Sequence, residues 1–191
     1  MLPFAETQNG TEKTEAAALD QAILAAASGS REAMEEIYRA ACAHIYGFAL
    51  SILKNPYDAQ DVLHDCCVAA WQGAEEYRAQ GKPLAWLLTI TRNLCLQRLR
   101  QRRRTAELSM EDWERALADR SGLTAEDKSV LAACMERLSD EERQIVTLHA
   151  LSGFRHREIA ALLELPLPTV LSKYHRALKK MRAYLEGDNA K

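Results

Sequence analysis

The chain has 191 residues, 48% of them apolar and 27% charged, with a net charge of −2, a composition that fills a core and excludes wholesale disorder. Only 8 glycines, 5 prolines and 3 phenylalanines argue against a turn-rich β architecture, and no stretch reaches the roughly 18 uncharged apolar residues that span a bilayer. Five cysteines without a short repeating spacing exclude a disulfide framework and a zinc ribbon and point to a reducing compartment, the cytoplasm.

Residues 1–17 are polar, carry acids where a secretion signal would carry bases, and show no periodic apolar face, so they read as a disordered leader. From Leu19 the spacing is helical. Leu19, Ile23 and Ala26 share one face, Ser28-Gly29-Ser30 interrupts, and Met34, Ile37, Tyr38, Ala41, Ile45, Phe48, Ala49 and Ile52 resume the pattern. Asn55-Pro56-Tyr57 breaks it, because proline removes a backbone donor and disfavours helix at the residue before it. The next helix is expected to start with Asp58 as N-cap and Asp61 in its first turn, burying Val62, Leu63, Cys66 and Ala70. Gly81-Lys82-Pro83 separates it from a helix running from Leu84 to about Arg103. Leu84, Leu87 or Leu88, Thr91, Leu94 and Cys95 form its inner seam, and Trp86, Thr89, Asn93, Gln97 and Arg100 its outer side.

Charge then alternates along the chain. Residues 77–106 hold eight basic and no acidic side chains, residues 107–142 eleven acidic against four basic, and residues 143–185 eight basic against two acidic. Two separated cationic blocks fit two footprints on a polyanion, and equally fit solvated helix faces. The arginines between Arg98 and Arg104 outnumber what a helix dipole needs. Residues 105–127 read as an acidic flexible linker, of which 105–125 fully extended would span about 70 Å. Beyond it, Val130, Leu131, Cys134 and Leu138 share a helical face, and Ser139 to Glu142 is a capping box opening the next helix. Arg155 to Leu165, the corner Leu165-Pro166-Leu167-Pro168 and a basic helix from Thr169 to Leu185 have the outline of a helix-turn-helix, whose second helix enters the major groove. Val170, Tyr174, Ala177 and Met181 would pack inward, leaving Thr169, Ser172, Lys173, Arg176 and Lys180 toward solvent or DNA; a helical hairpin with a cationic outer side shares this pattern. The expectation is an all-α protein of two small helical domains, 18–104 and 128–185, joined by the linker 105–127 and followed by a tail, 186–191.

Two segments carry a sharper signal. NPYDAQDVLHDCCVAAW, Asn55 to Trp71, continues through KPLAWLLTITRNLCLQRLRQRRR, Lys82 to Arg104, and LSDEERQIVTLHALSGFRHREIAALLELPLPTVLSKYHRALKKMR covers Leu138 to Arg182. They resemble regions 2 and 4 of the extracytoplasmic-function (ECF) group of the sigma-70 family, bacterial initiation factors that direct RNA polymerase to promoters. The resemblance implies docking on the β′ clamp of core RNA polymerase through Asp58, Gln60, Asp61, Val62, Asp65 and Trp71. It implies that Trp86, Arg92, Asn93, Arg98 and Arg100, with the loop from Tyr77 to Lys82, engage the −10 element, capture a flipped base and hold the opened strands. It implies that Thr169, Ser172, Lys173, His175 and Arg176 read the −35 element as duplex, with Arg155 or Arg157 on phosphates. A contact to the polymerase β flap and an anti-sigma factor as partner are also implied, with no cofactor, metal, small-molecule substrate or membrane insertion. The residue chemistry agrees: an acidic, partly apolar helix face suits a protein partner, while cations track a strand and the Asn93 amide offers both donor and acceptor to an unpaired base. Leu171, where the family often has a basic residue, and Tyr174, where a smaller aliphatic is common, keep the −35 sequence from being carried over.

Three other readings compete. A helix-turn-helix regulator that never joins polymerase uses the same C-terminal half, and an all-helical adaptor uses neither cationic block. His44 and Cys42 with His64, Cys66 and Cys67 would make a metal or redox cluster, against which stands the lack of any C-x-x-C or H-E-x-x-H pair. Trp86 fits a core position as well as a base-stacking one. With no phosphate-binding loop and no nucleophile elbow, catalysis is not expected.

Overall fold

The structure is a computed structural model that describes residues 6–102 and 125–187. The expected linker falls outside those residues up to Thr124, as does the tail beyond Gly187. The first half consists of α1 (Glu6–Ala27), α2 (Arg31–Leu53), α3 (Pro56–Gly73) and α4 (Pro83–Arg102), with a 3-10 turn at Ala74–Glu76 after α3. The second half consists of α5 (Ala125–Glu136), α6 (Asp140–Ala150), α7 (His156–Leu163) and α8 (Leu167–Leu185). All regular structure among the described residues is helical, and none of these helices is long and apolar enough to cross a membrane.

Helix ends follow local chemistry, with two departures from expectation. Helix α1 starts at Glu6, inside the segment read as a leader. From Thr14 onward its first buried residue is Leu19; once the packed turns exist, extension through Ala16 to Ala18 adds a hydrogen bond per residue without a second nucleation cost. Helix α3 is capped by Asn55, whose side chain accepts from the Asp58 amide at 3.0 Å, so Asp58 is not the cap. Pro56 opens the helix instead of separating two, because at the first helical position its missing N–H costs nothing and its φ is already helical. The expected box holds at α6, where Ser139 and Glu142 cap each other reciprocally. Ser30, read only as part of a break, caps α2, its side chain accepting from the Ala33 amide at 3.2 Å.

Helix α2 is the axis of the fold: it packs on α1, α3 and α4 and, on its remaining side, on α6. Ile37, Ile45 and Phe48 of α2, Leu63 of α3 and Leu87 and Leu88 of α4 are at most 1% exposed. The same apolar core continues without a break into Ile145, Leu148, Ile159 and Leu163 of the second half. A smaller cluster, Leu138, Val146 and Ala177 with Met135 and Met181 against it, ties α8 to the helices beneath it. The two expected helical units are therefore present and docked on each other.

Candidate nucleic-acid and protein-docking interface

Helix α3 turns one face outward. Tyr57, Asp61, His64, Asp65, Val68 and Trp71 are exposed, so an apolar strip is edged by carboxylates. Gln60 and His64 are hydrogen-bonded at 3.1 Å on the same side. Val62 does not belong to this face: it is 0% exposed and lies in the core, a correction to its expected place in the docking set. It falls on the inner seam with Ala59, Leu63 and Cys66, and a residue three or four positions from core residues must face inward. Val68, which sequence reasoning passed over, is 56% exposed and takes the outward place. Its signal was the spacing from Asp61 and Asp65, seven and three residues back on the same stripe.

Arg98 of α4 reaches across to that helix. Its guanidinium donates to Asp61 at 2.8 Å, to Asp65 at 3.4 Å and to Asp58 at 3.5 Å. The side chain expected on a DNA strand is thus held among the acids expected on polymerase. Arg92 also has protein partners, Glu164 at 3.1 Å and the Leu163 carbonyl at 3.5 Å. Asn93 and Arg100 remain exposed on the outer side of α4. Trp86 is half-buried, its ring 4.8 Å from that of Tyr77, and its Cζ2 would lie 3.6 Å from a Cβ placed on Gly73. Tyr77 is buried with its hydroxyl donating to Asp20, and burial together with that bond pushes its phenol well above the ordinary range. It is a structural residue, so of the loop before α4 the exposed part runs from Arg78 to Lys82.

In the second half, α7 and α8 make the expected two-helix corner. Glu164 ends α7 in the left-handed region, with its N–H donating back to the carbonyls of Ala160 and Ala161, and Pro166 leads into α8. Val170 and Ala177 are fully buried and Tyr174 and Met181 half-buried, the seam read from the sequence. Ser172, His175 and Arg176 are exposed on the outer face, Thr169 half-exposed beside them, and Arg155 and Arg157 are exposed at the start of α7. Lys173 meets Glu141 at 2.5 Å and Lys180 meets Glu142 at 2.6 Å, with Arg176 at 4.0 Å from the same carboxylate. Burial alone would raise the Glu142 carboxyl, but the Lys180 ammonium and the Ser139 amide outweigh it and hold it below its ordinary value.

Of the cysteines and histidines read as a candidate cluster, Cys42 and Cys67 line one shallow pocket beside α2, and the others lie apart from it. Cys66 lies in the core, 3.4 Å from the Thr91 hydroxyl, and burial pushes its thiol up to about 12. His64 faces solvent on the far side of the same helix, while His44 lines a cavity of about 540 Å³ between α1, α2 and the second half. Among the described residues no three His, Cys, Asp or Glu side chains are grouped to hold a metal ion.

Known proteins match along the same division. Residues 29–105 match Sigma-70 region 2 and residues 128–181 match Sigma-70, region 4. The chain is 26% identical over 168 residues, 84% of this chain and 90% of the relative, to the ECF RNA polymerase sigma factor SigK of Mycobacterium ulcerans. It is 29% identical over 152 residues, 79% and 84% of the two chains, to the ECF RNA polymerase sigma factor EcfG of Rhodopseudomonas palustris. Among solved structures, CnrH in complex with the cytosolic domain of CnrY shares the fold with a TM-score of 0.65 at 24% identity, covering 90% of this chain and 99% of that one. The sigma factor RpoE of Bartonella quintana, in complex with the anti-sigma factor NepR, superimposes with a TM-score of 0.60 at 24% identity over 75% and 91% of the two chains. With both regions matched in order, and with a region 2 helical bundle and a region 4 helix-turn-helix in the fold, the chain belongs to the sigma-70 family.

Proposed function

We propose that the chain acts as an initiation factor in which α3 hooks core RNA polymerase, α4 and the loop before it hold the opened −10 strands, and α8 reads the −35 duplex. The observation that carries this reading is the exposed acidic and apolar face of α3, with Val68 and Trp71 following Asp61 and Asp65 along it. A regulator needing only its helix-turn-helix has no use for a second docking face on the other half. The clamp contact is assigned to Asp61, Asp65, Val68 and Trp71 with Gln60 beside them, Asp58 and Arg98 bracing the helix from behind. On the −10 element Asn93 and Arg100 are available directly, and Arg92 once Glu164 releases it. On the −35 element Ser172, His175 and Arg176 present donors to base edges, Thr169 and Lys173 flank them, and Arg155 and Arg157 sit where phosphates pass.

Strand opening in this scheme uses binding free energy alone, and phosphoryl transfer belongs to the polymerase. The chain works in the cytoplasm, in contact with the β′ clamp and the β flap, with an anti-sigma factor as its regulatory partner. Pull-down with core polymerase followed by run-off transcription tests the reading: a transcript that depends on promoter, core and this chain together supports it, and tight duplex binding without core association favours the free-standing regulator instead.

A further inference from the structure

The cysteines divide into two kinds. Cys66, Cys95 and Cys134 are at most 2% exposed, and the Cys66 sulfur is turned inward onto Thr91 and the Leu87 carbonyl of α4. Cys42 and Cys67 are half-buried and share a shallow groove of about 550 Å³ with Met34, Glu35, Tyr38 and Arg39. Helices α2 and α3 are packed on each other and joined by Lys54 and Asn55 alone, so the chain folds back on itself there. Cys42 stands as many residues before Leu53, the end of α2, as Cys67 stands after Pro56, the start of α3. Equal arms put both sulfurs at one level of the helix pair, and burial together with the neighbouring Cys42 sulfur pushes the Cys67 thiol up. The Cys42 thiol makes only a weak contact on its own helix, 3.9 Å from the Arg39 carbonyl. Adjacency in sequence therefore misleads: Cys66 belongs to the core, and the partner of Cys67 is Cys42.

We propose that Cys42 and Cys67 form a two-thiol site for a soft monovalent metal ion of the copper(I) class, bridging α2 and α3. The donor set selects the ion. Among the described residues no three His, Cys, Asp or Glu side chains are grouped, so neither the four ligands of zinc nor the oxygen cage of calcium is on offer. A soft ion with a filled d shell is satisfied by two thiolates in line, and sulfur donors select it over harder cations. Met34 stands two turns back along α2, about 12 Å by the helical rise, and adds a soft thioether to the lining without being a third ligand. On binding, each thiol releases its proton to solvent and gives a sulfur lone pair to the metal. Two thiols and a monovalent cation thus become a monoanionic bis-thiolate complex and two free protons, with copper and sulfur keeping their oxidation states. Cys67 lies one turn from both His64 and Trp71, so the bridge fastens α3 to α2 beside its outward face.

The test uses the full chain, reduced and kept free of oxygen, with copper(I) supplied as its acetonitrile complex and bicinchoninate as competitor. The wild type should take up a single ion per chain, with a sulfur-to-copper charge-transfer band in the ultraviolet. Its melting temperature should rise by several degrees, because a ligand that binds only the folded state stabilises it by mass action. Cys42→Ser and Cys67→Ser should each keep their helical circular dichroism, weaken binding at least about a hundredfold and lose the thermal shift. Cys134→Ala, which removes a buried thiol of the second half, should bind within about twofold of wild type. In the metal-free wild type N-ethylmaleimide should label Cys42 and Cys67 ahead of the three buried thiols, read by mass spectrometry, and copper should protect both. If neither serine variant folds, that protection decides alone. Copper left entirely with the competitor, a folded serine variant with wild-type affinity, labelling that copper does not change, or zinc displacing copper at equal concentration overturns the proposal.

Discussion

Replacing Arg98 by glutamine separates two roles that the sequence allows and the structure distinguishes. The guanidinium lies between three carboxylates of α3, of which Asp61 and Asp65 are 61% and 53% exposed and Asp58 only 18%. The two exposed pairs are each worth a few tenths of a kcal/mol, because water screens them and long side chains must be held still. The pair with Asp58 is better shielded, and a hydrogen bond to a shielded charge contributes about 1.5–3 kcal/mol, the low end applying at 3.5 Å. Arg98→Gln should therefore cost about 2 kcal/mol and lower the melting temperature by roughly 4–8 °C in a chain of this size. A cycle with Asp61→Asn should recover about 0.5 kcal/mol of coupling. Binding of a single-stranded oligonucleotide should stay within about threefold of wild type, since the arginine is already committed to protein. An unchanged melt together with a tenfold loss of oligonucleotide affinity would refute the bracing role and return Arg98 to the strand.

Arg176→Ala should weaken binding to −35 duplex and flatten the dependence on salt by about one phosphate's worth, a slope change near 0.9 in log affinity against log salt, while core association measured by pull-down is unaffected. Asp61→Arg should do the opposite, impairing core association and sparing duplex binding. Glu142→Gln keeps an acceptor for the Ser139 amide but takes the charge from Lys180, so chemical denaturation should show a loss of about 1–2 kcal/mol; no loss would mean that Lys180 rehydrates freely. Burial pushes His44 and His156 below the ordinary histidine value of 6.5. The unfolded chain then binds protons that the folded chain refuses, so stability is full above about pH 6.5 and declines as pH falls below it. The held-down carboxyls of Asp140 and Glu142 add a second loss below their own ordinary range. Urea midpoints at pH 7.5 that do not exceed those at pH 5.5 would contradict this order.

Helix faces were legible wherever one stripe of apolar residues repeats on the 3–4 spacing, as in α2 and along Val170, Tyr174, Ala177 and Met181 of α8. Capping was legible at Ser139, where the serine and the glutamate that answer each other lie within one turn. At Asn55 it was misread, because a proline is as good a helix opener as a helix breaker and only the backbone decides between them. Val62 was placed on the inner seam by its spacing from Leu63 and Cys66, as the structure has it, and only the docking set implied by the family resemblance put it outward. What had no local signal was pairing between distant segments. Arg98 with Asp61 and Asp65, Lys180 with Glu142 and Arg92 with Glu164 join residues 33 to 72 positions apart. A run of like charge identifies a set of cations but not which of them the fold has already matched.

That distinction changes what the alternating charge blocks mean. The acidic stretch that ends at Glu142 supplies Asp140, Glu141 and Glu142 to Lys54, Lys173 and Lys180, and the acids of α3 supply Arg98. The chain thus carries internal competitors for its own nucleic-acid surfaces. Each cation held by a carboxylate gives a smaller net release of ions, because the carboxylate that phosphate displaces takes up a cation from solution as the DNA sheds one. The salt slope for DNA binding should accordingly fall short of the number of arginines and lysines at the interface, by about one for each internal pair exchanged. A slope that counts every basic residue of α4 and α8 would show that these pairs dissolve before DNA arrives, and the net charge of −2 would then be the sum of independent surfaces with no bearing on selectivity.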